Sequence, residues 1–299
     1  MSSAFVTGGS GFAGRHLMEL LPEAVAPSRD ELDLLDSAAV CAAVRQARPA
    51  AVFHLAALAS VGRSWESPAE TLTANLAMTA NLLEAVRSEA PDAAVVVASS
   101  GEVYGPPARL PISEDAPLRP QNPYAVSKAA CDLLAGQYAD AFDMRVVRTR
   151  AFNHAGPGQR PEYVVGTLTR QVAEAEATGA AEVVLRTGNP DSARDFTDVR
   201  DVVRAYVEAA ELPPGVYNVC SGRATSVREL VELVRRSTAL TVRHEVDLER
   251  VRAHDVPEVR GSAERLRAAC GWQPAIPLER TVADALEAWR RALRVGTRT

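Results

Sequence analysis

A tyrosine and a lysine four residues apart are the side chains of this sequence best suited to acid–base chemistry. Tyr124 and Lys128 lie in the segment NPYAVSKAACDLLAGQYA, and on a helix this spacing places them on one face. Asn122 is a suitable N-cap and Pro123 suits the first helical position, so the helix should begin just before the tyrosine. Because an ammonium beside a phenol favours the phenolate, we expect Lys128 to lower the pKa of Tyr124 and make it a general acid/base. Alone, the pair is equally compatible with a surface contact.

The N-terminal segment AFVTGGSGFAGRHL is typical of a phosphate-binding turn between a strand and a helix. Gly8, Gly11 and Gly14 follow a short apolar run at G-x-x-G-x-x-G spacing and precede an amphipathic segment. Gly8 and Gly11 permit a tight turn whose N–H groups reach a pyrophosphate, and Gly14 lets the helix pack close to the strand. Glycine-rich turns also serve as simple punctuation. The strand before and the helix after favour a dinucleotide site.

A serine pair ends a third informative segment, AAVVVASSGEVYG. Its apolar run predicts a fully buried strand that ends in Ser99 and Ser100. Open α/β sheets bind ligands at the carboxyl ends of their strands. There, the Ser100 hydroxyl could donate to a carbonyl oxygen on which charge develops. Serines after strands are also common turn residues, so this role depends on the neighbouring residues.

The chain alternates strands and helices in a way that brings these candidates together. Four apolar segments are predicted strands, with helical patterns between them: Ala4–Val6, Ala51–Leu55, Ala94–Ala98 and Arg145–Arg148. This alternation predicts an α/β fold of the Rossmann type, a doubly wound parallel sheet with helices on both faces. Asn75 lies on the mostly apolar stripe of the predicted helix Glu70–Arg87. It should need a hydrogen-bond partner there, unless it lies at the exposed edge of the stripe.

These motifs resemble those of the extended short-chain dehydrogenase/reductases that act on nucleotide sugars, the NAD-dependent epimerase/dehydratase family. TGGSGFAG, HLAA, SSGEVYG and YAVSK carry the resemblance in the N-terminal half. FNHAGPGQ, RDFTDVRDVVRAY, VYNVCSG and GWQPAIPLERT carry it in the C-terminal half and are most similar to the GDP-4-keto-6-deoxy-mannose reductases. The likeness runs from about Phe5 to the region of Trp289, which is nearly the whole chain.

The resemblance implies reduction of a sugar ketone by NADPH or NADH. Tyr124 would protonate the alkoxide, Lys128 would tune Tyr124 and hold the nicotinamide ribose, and Ser100 would polarise the ketone. Glu102 is a further catalytic candidate, present in reductases and dehydratases alike. In dehydratases a neighbouring acid helps to expel water, whereas this chain has Gly101 there.

The motifs and the resemblance together assign binding residues. The predicted cofactor-binding residues are Gly8, Gly11, Phe12, Gly14, Arg29, Asp33, Leu34, Leu55, Ala56, Ala57, Asn75, Tyr124 and Lys128. The predicted substrate-binding residues are Ser100, Asn153, Arg194, Arg252 and Asp255. A guanidinium suits bidentate phosphate contact. Asp255 stands where the family pattern has a glutamate that holds the nucleoside ribose, and its side chain is one methylene shorter.

Cofactor choice depends on the end of the second predicted strand, Ala24–Ala26. An acidic residue there ordinarily binds the adenosine ribose, but Ser28 and Arg29 come first in this chain. Arg29 could accommodate a 2′-phosphate and favour NADPH, or it could be a plain loop residue. Asp30 or Glu31 could serve NADH instead.

Composition argues against nucleic-acid and membrane partners. The 299 residues, 47% hydrophobic, can bury a sizeable core in one large domain or two closely associated ones. A formal net charge of −5 and the absence of long basic runs disfavour nucleic-acid binding. No apolar stretch approaches the roughly 18 residues of a membrane span, and the N-terminus has no signal-peptide pattern. The four scattered cysteines lack metal-ligand spacing, so we expect no metal and reduced thiols in the cytoplasm.

The expected organisation is a dinucleotide-binding domain of residues 1–160 plus about 196–222. A smaller, discontinuous α/β domain of about 161–195 and 223–299 would bind the nucleotide sugar. The predicted reaction is NAD(P)H-dependent reduction of GDP-4-keto-6-deoxy-D-mannose to GDP-6-deoxymannose (rhamnose). The alternatives are a GDP-mannose 4,6-dehydratase or UDP-hexose 4-epimerase with tightly held NAD, and a non-catalytic nucleotide sensor. The resemblance also implies a homodimer, paired through the predicted helices Tyr124–Ala139 and Glu70–Arg87.

Overall fold

The structure is a computed structural model that describes residues 3–248 and 256–296. Its strands are β1 (Ala4–Thr7), β2 (Ala51–His54), β3 (Ala94–Ser100), β4 (Val146–Ala151), β5 (Asn153–Ala155), β6 (Glu182–Thr187), β7 (Ala193–Asp198), β8 (Gly215–Val219), β9 (Ala224–Ser226), β10 (Thr241–Val246) and β11 (Glu258–Val259). Its helices are α1 (Phe12–Leu20), α2 (Ser37–Ala47), α3 (Val61–Glu66), α4 (Pro68–Glu89), α5 (Pro123–Phe142), α6 (Val164–Ala177), α7 (Val199–Ala209), α8 (Val227–Arg236), α9 (Glu264–Cys270) and α10 (Leu278–Gly296). A 3₁₀ helix covers Gly101–Tyr104.

The central sheet is parallel and carries helices on both faces. Its strand order is β1-β2-β3-β4-β8, and every neighbouring pair is parallel. Leu17 of α1 and Val202 of α7 belong to the apolar cluster on one face. Val44 of α2, Leu82 of α4 and Ala135 of α5 belong to the cluster on the other. The predicted doubly wound α/β fold is confirmed.

The second predicted strand is much shorter than expected. In place of Ala24–Ala26, Val25 alone forms a parallel bridge with Phe5. It is held by Val6 N–H to Val25 O and Val25 N–H to Ala4 O, both 2.8 Å. Pro22 and Pro27 flank the segment, and because proline has no N–H to donate, a longer ladder cannot form there.

A second apolar core lies in the C-terminal half. It is formed by residues from α6, β6, α8, β10 and α10, among them Leu168, Leu185, Leu230, Val242 and Leu286. β6 pairs in parallel with β10, while β7 lies between β5 and β11 and pairs antiparallel with β9. β5 and β7 thus connect this core to the region that follows β4.

Candidate active site

The glycine turn after β1 has no room for side chains. Gly8 has φ +77°, and a Cβ there would lie 2.7 Å from the amide nitrogen of Ala56. A Cβ on Gly14 would lie 2.0 Å from the carbonyl oxygen of Gly8, to which the Gly11 N–H donates at 3.0 Å. Ala56 belongs to the predicted cofactor segment Leu55–Ala57, which directly follows β2. The turn leaves backbone N–H groups at the start of α1, which is the arrangement that suits a pyrophosphate.

The helix that carries the acid–base pair begins where the sequence predicts. Asn122 is its N-cap, with Oδ1 accepting from the Ala125 N–H at 2.8 Å, and Pro123 is its first residue. The Asn122 amide also donates to Oε2 of Glu102 at 3.2 Å. Glu102 is therefore held at the start of α5 by Asn122, which precedes Tyr124 by two residues.

Ser100 lies at the carboxyl end of β3, next to Tyr124. Its Oγ accepts from the Glu102 N–H at 3.2 Å and caps the 3₁₀ helix. The Ser100 side chain acts to lower the pKa of Tyr124, so it lies near the phenol. The structure thus brings Ser100, Glu102 and Tyr124 together at one edge of the sheet, and Lys128 follows Tyr124 by one turn of α5.

The pKa of Tyr124 moves in the direction opposite to the prediction. Burial disfavours the phenolate and raises the pKa of Tyr124 well above its usual value, and the hydrogen bond from Ser100 offsets this only in part. Burial also lowers the pKa of Lys128, whose side chain is almost fully enclosed. Tyr124 therefore keeps its proton at neutral pH, which is the form a general acid needs.

Asn75 is buried, as its place on an apolar stripe predicts, and its amide is fully used. Oδ1 accepts from the Leu58 N–H at 2.7 Å, and Nδ2 donates to Leu58 O at 3.3 Å and to Ser127 Oγ at 2.9 Å. These bonds fix the segment after β2 against α5. A direct contact of Asn75 with the cofactor stays a prediction.

In the segment that follows the Val25 bridge, Arg29 is exposed and the carboxylate of Glu31 is hydrogen-bonded to the backbone. Oε2 of Glu31 accepts from the Ser28 N–H at 2.8 Å, and this bond lowers the pKa of Glu31. Asp33 accepts from the backbone N–H two residues on, at 2.9 Å, and Leu34 is buried. Arg29, Asp30 and Glu31 are all exposed, and Glu31 already accepts a backbone hydrogen bond.

The loop that contains the predicted substrate residue Asn153 and continues to Gly158, called the substrate loop below, packs on α1 directly after the glycine turn. The Phe12 ring stacks on His154, with centroids 5.9 Å apart and planes at 4°. His16 Nε2 lies 2.9 Å from Pro157 O, and Arg15 donates to the carbonyl of Gly158 at 3.1 Å. The cofactor turn and the substrate loop are therefore neighbours.

Besides Ser100, the predicted substrate residues fall into three groups. Asn153 begins β5 and is exposed. Arg194 lies in β7, where its Nη1 donates to Val256 O at 2.8 Å and so holds backbone. Arg252 and Asp255 lie outside the described residues.

Two features at the site were missed by the sequence reasoning. Tyr163, the N-cap of α6, donates its hydroxyl to Ala59 O at 3.5 Å, and its phenol helps to raise the pKa of Tyr124. A Cβ on Gly101 would lie 3.0 Å from the Phe152 ring. Nothing in the local pattern marks Tyr163, but the FNHAGPGQ motif already contains Phe152.

Within residues 3–248 and 256–296, no cluster of three or more His, Cys, Asp or Glu side chains could hold a metal ion. No helix in the same ranges combines the length and apolar character needed to cross a membrane. Cys41, Cys131, Cys220 and Cys270 are free thiols.

A family model described as GDP-mannose 4,6 dehydratase matches residues 28–285 of this chain. The chain belongs to that family. Within the GDP-mannose 4,6-dehydratase family and its relatives, a GDP-6-deoxy-D-mannose reductase of Pseudomonas aeruginosa is 38% identical over 97% of this chain and 98% of its own length. A UDP-glucose 4-epimerase of Mycolicibacterium smegmatis is 33% identical over 81% of this chain and 77% of its own.

A solved structure from the same group agrees over the full length. The structure of RMD from Pseudomonas aeruginosa complexed with NADPH matches with a TM-score of 0.90 at 36% identity, covering 98% of this chain and 100% of that chain. The resemblance read from the motifs is thereby confirmed. The chain is placed among nucleotide-sugar enzymes that use a nicotinamide dinucleotide.

Proposed function

We propose that this protein reduces the C4 ketone of GDP-4-keto-6-deoxy-D-mannose with NADPH, giving GDP-6-deoxymannose (rhamnose). The observation that carries the proposal is the likeness to a GDP-6-deoxy-D-mannose reductase over 97% of the chain, combined with Ser100 at the end of β3 near Tyr124 and with Lys128 one turn further along α5. A nucleotide sensor would need the turn but not the acid–base cluster.

The described residues fit the reduction of a ketone. NADPH, when bound, supplies the hydride that adds to C4, so the cofactor is oxidised and the sugar reduced. The raised pKa of Tyr124 keeps its phenol protonated, ready to donate to the carbonyl oxygen as that oxygen gains charge. Ser100 hydrogen-bonds the same oxygen, and Lys128 stabilises the phenolate that remains until solvent returns a proton.

The packing at Gly101 supports a reductase over a dehydratase. Dehydratases of the family carry an acid next to the residue equivalent to Glu102. Here the neighbouring position is Gly101, and the Phe152 ring would lie 3.0 Å from any Cβ there. A carboxylate could enter only if Phe152 moved, and Phe152 is buried.

The substrate nucleotide would lie against the second core. We assign cofactor binding to residues 1–160 plus about 196–222, and sugar-nucleotide binding to about 161–195 and 223–299. Asn153 and Arg194 lie where these parts meet, because β5 pairs with β7. NADPH rather than NADH is supported by the exposed Arg29 and by the engagement of Glu31 with Ser28.

The deciding experiment compares 4-keto-6-deoxy sugars linked to GDP and to dTDP, followed by NADPH consumption. A pocket that hydrogen-bonds guanine leaves buried polar groups unpaired with thymine, and each costs about 1–3 kcal/mol. We expect kcat/KM for the GDP sugar to be roughly ten- to a hundredfold higher per such group. Equal values would refute guanine selection. No turnover, together with NAD retained through purification, would favour the epimerase or dehydratase.

We further propose a homodimer formed through α4 and α5, in the cytoplasm. Val126 and Leu133 lie two turns apart on one face of α5 and are 41% and 61% exposed, and neighbouring exposed apolar side chains of this kind are typical of a protein–protein contact. Light scattering at micromolar concentration should give twice the chain mass. Leu133→Glu should give a monomer, whereas Leu20→Glu on α1, also at an exposed apolar position, should not. A monomeric parent protein would exclude the dimer.

A further inference from the structure

A buried group of charges lies behind the acid–base pair, on the side of α5 that faces the sheet. Asp132 is fully buried, and its two carboxylate oxygens accept from Nε and Nη2 of Arg150, both at 2.9 Å. Arg150, in β4, is 5% exposed. Nη1 of Arg148, also in β4, lies 3.6 Å from the Asp132 carboxylate. One carboxylate therefore faces two guanidinium groups inside the protein.

Helical spacing connects this charge group to Lys128. Asp132 follows Lys128 by four residues, as Lys128 follows Tyr124, so the three side chains form one stripe. Gly136 continues the stripe, and a Cβ there would lie 2.4 Å from Nη1 of Arg148. α5 is thus fixed against β4 by the contacts of Asp132 and by the absence of a side chain at Gly136.

Arg150 also has partners other than Asp132. Its Nη1 donates to the Tyr104 hydroxyl at 3.0 Å and to Glu114 O at 3.3 Å, and the guanidinium lies over the Tyr104 ring at 5.0 Å. The Tyr104 hydroxyl in turn donates to Oδ1 of Asn218 at 2.7 Å. The position of Asp132 is therefore set by β4, the 3₁₀ helix and β8 together.

We propose that the Asp132–Arg150 pair is a positioning pair for the reaction: it fixes α5 against β4 and so sets the position of Lys128, and its carboxylate favours the ammonium form of that lysine. The inference rests on the proposed function. Neither residue reaches the reacting atoms. They act through Lys128, the next residue of the stripe toward Tyr124.

The electrostatics agree with this geometry. Burial lowers the pKa of Lys128, and the nearby Asp132 and Cys131 oppose that shift. The titratable groups that act on Lys128 are Cys131 and Asp132 on α5, and Lys128 in turn acts on His54 of β2. Arg148 and Arg150 of β4 lie against Asp132. Tyr124 lies one turn before Lys128, with Glu102 of the 3₁₀ helix near it. His54 is uncharged, because burial lowers its pKa to about 3. α4 faces this part of α5 with the uncharged Asn75.

The sign of the expected pH effect follows from these directions. The pKa of Lys128 is lowered and that of Tyr124 is raised, so Lys128 loses its proton first as the pH rises. The alkaline limb of the reduction should therefore report Lys128. Removing the Asp132 carboxylate removes a charge that favours the ammonium, and the limb should move to lower pH.

The test is the pH profile of kcat for Asp132→Asn, with NADPH affinity measured over the same pH range. We expect the alkaline limb to fall by about one pH unit, the size of shift that an adjacent opposite charge produces. The pH above which NADPH binding weakens should fall with it. The NADPH titration needs no sugar, so a shift there would support the inference even if the parent protein did not reduce the GDP-linked ketone.

A double variant separates an effect on Lys128 from a loss of stability. Asp132→Asn alone leaves the Arg150 guanidinium buried and unpaired, which is strongly destabilising. Asp132→Asn with Arg150→Met removes both charges of the bidentate pair and leaves Arg148, which is 19% exposed, so its melting temperature should recover in part. Its alkaline limb should lie between those of the parent and the single variant, since a cation leaves together with the anion.

Asp201→Asn is the matched control. Asp201 is a buried aspartate on α7 that accepts from the Ala275 and Ile276 N–H groups and, like Asp132, pairs with an arginine, Arg204. We expect it to lower the melting temperature without moving the limb. An alkaline limb and NADPH profile at the parent pH in both Asp132 variants would overturn the proposal, whatever their stability.

Discussion

The cofactor side of the site and its substrate side are built by different means. On the cofactor side the backbone forms the site, and a methyl group on Gly8 or Gly14 would collide with other main-chain atoms. On the substrate side, hydrogen bonds from side chains hold the backbone in place, as when Arg194 donates to Val256 O. Substitutions on the cofactor side should therefore act through sterics and have large effects. Those on the substrate side should remove one hydrogen bond at a time.

Tyr124→Phe acts where the two sides meet and should have the largest effect. It removes the proton donor and keeps the ring, and general acid catalysis contributes about 10²–10⁴-fold. We expect kcat to fall by that range while NADPH affinity stays close to the parent value. Tyr138→Phe, also on α5, removes a hydroxyl bonded to Glu84 of α4, and its turnover should stay within a few-fold of the parent value. Turnover of Tyr124→Phe near the parent value would remove Tyr124 from the mechanism.

Gly14→Ala tests the steric character of the cofactor side. The new methyl would lie 2.0 Å from Gly8 O, so the turn must open. Overpacking of this kind costs about 1–3 kcal/mol. We expect a lower melting temperature and NADPH affinity reduced by roughly tenfold or more. Gly62→Ala is the control, since its Cβ would meet only Ser60 Oγ at 3.9 Å. Unchanged NADPH affinity in Gly14→Ala would show that the turn accommodates a methyl group at this position.

Features set by near neighbours could be predicted from the sequence. The start of α5 follows from Asn122 and Pro123, because capping depends on residues within one turn. The glycine turn follows from spacing alone, and the burial of Asn75 follows from the period of its helix. Each of these rules requires no knowledge of which distant segment packs against the element.

Features set by distant segments could not be predicted. The pKa of Tyr124 is raised because segments far apart in the sequence enclose it, whereas the spacing showed only Lys128. Asp132 is an acid on a buried stripe, a signal present in the sequence. Its partner Arg150 becomes evident only when β4 is placed beneath α5. By contrast, the shortening of the second strand to Val25 has a local cause that the sequence shows, because prolines flank the segment on both sides.

Arg29→Ala should have a smaller effect, confined to one cofactor. Loss of a charge-assisted contact to a 2′-phosphate costs about 1.5–3 kcal/mol when sheltered, and solvent screening lowers this at an exposed residue. We expect about tenfold weaker NADPH binding and unchanged NADH binding, measured by titration of both cofactors. Arg29→Lys, which retains the charge, should lose less. Equal losses for the two cofactors would make Arg29 an ordinary loop residue.

Asn153→Ala should have the smallest effect and sharpens the contrast on the substrate side. Asn153 is exposed at the start of β5, so its loss should leave stability unchanged and remove one hydrogen bond to the sugar nucleotide. Such a hydrogen bond contributes about 0.5–1.5 kcal/mol. KM for the GDP sugar should therefore rise roughly two- to tenfold, with NADPH affinity unaltered. Asn153→Asp should raise KM further, because its carboxylate repels the diphosphate. Arg194→Met should also lower the melting temperature, since Arg194 holds Val256. If Asn153→Ala weakened NADPH instead of the sugar, the substrate loop would belong to the cofactor site.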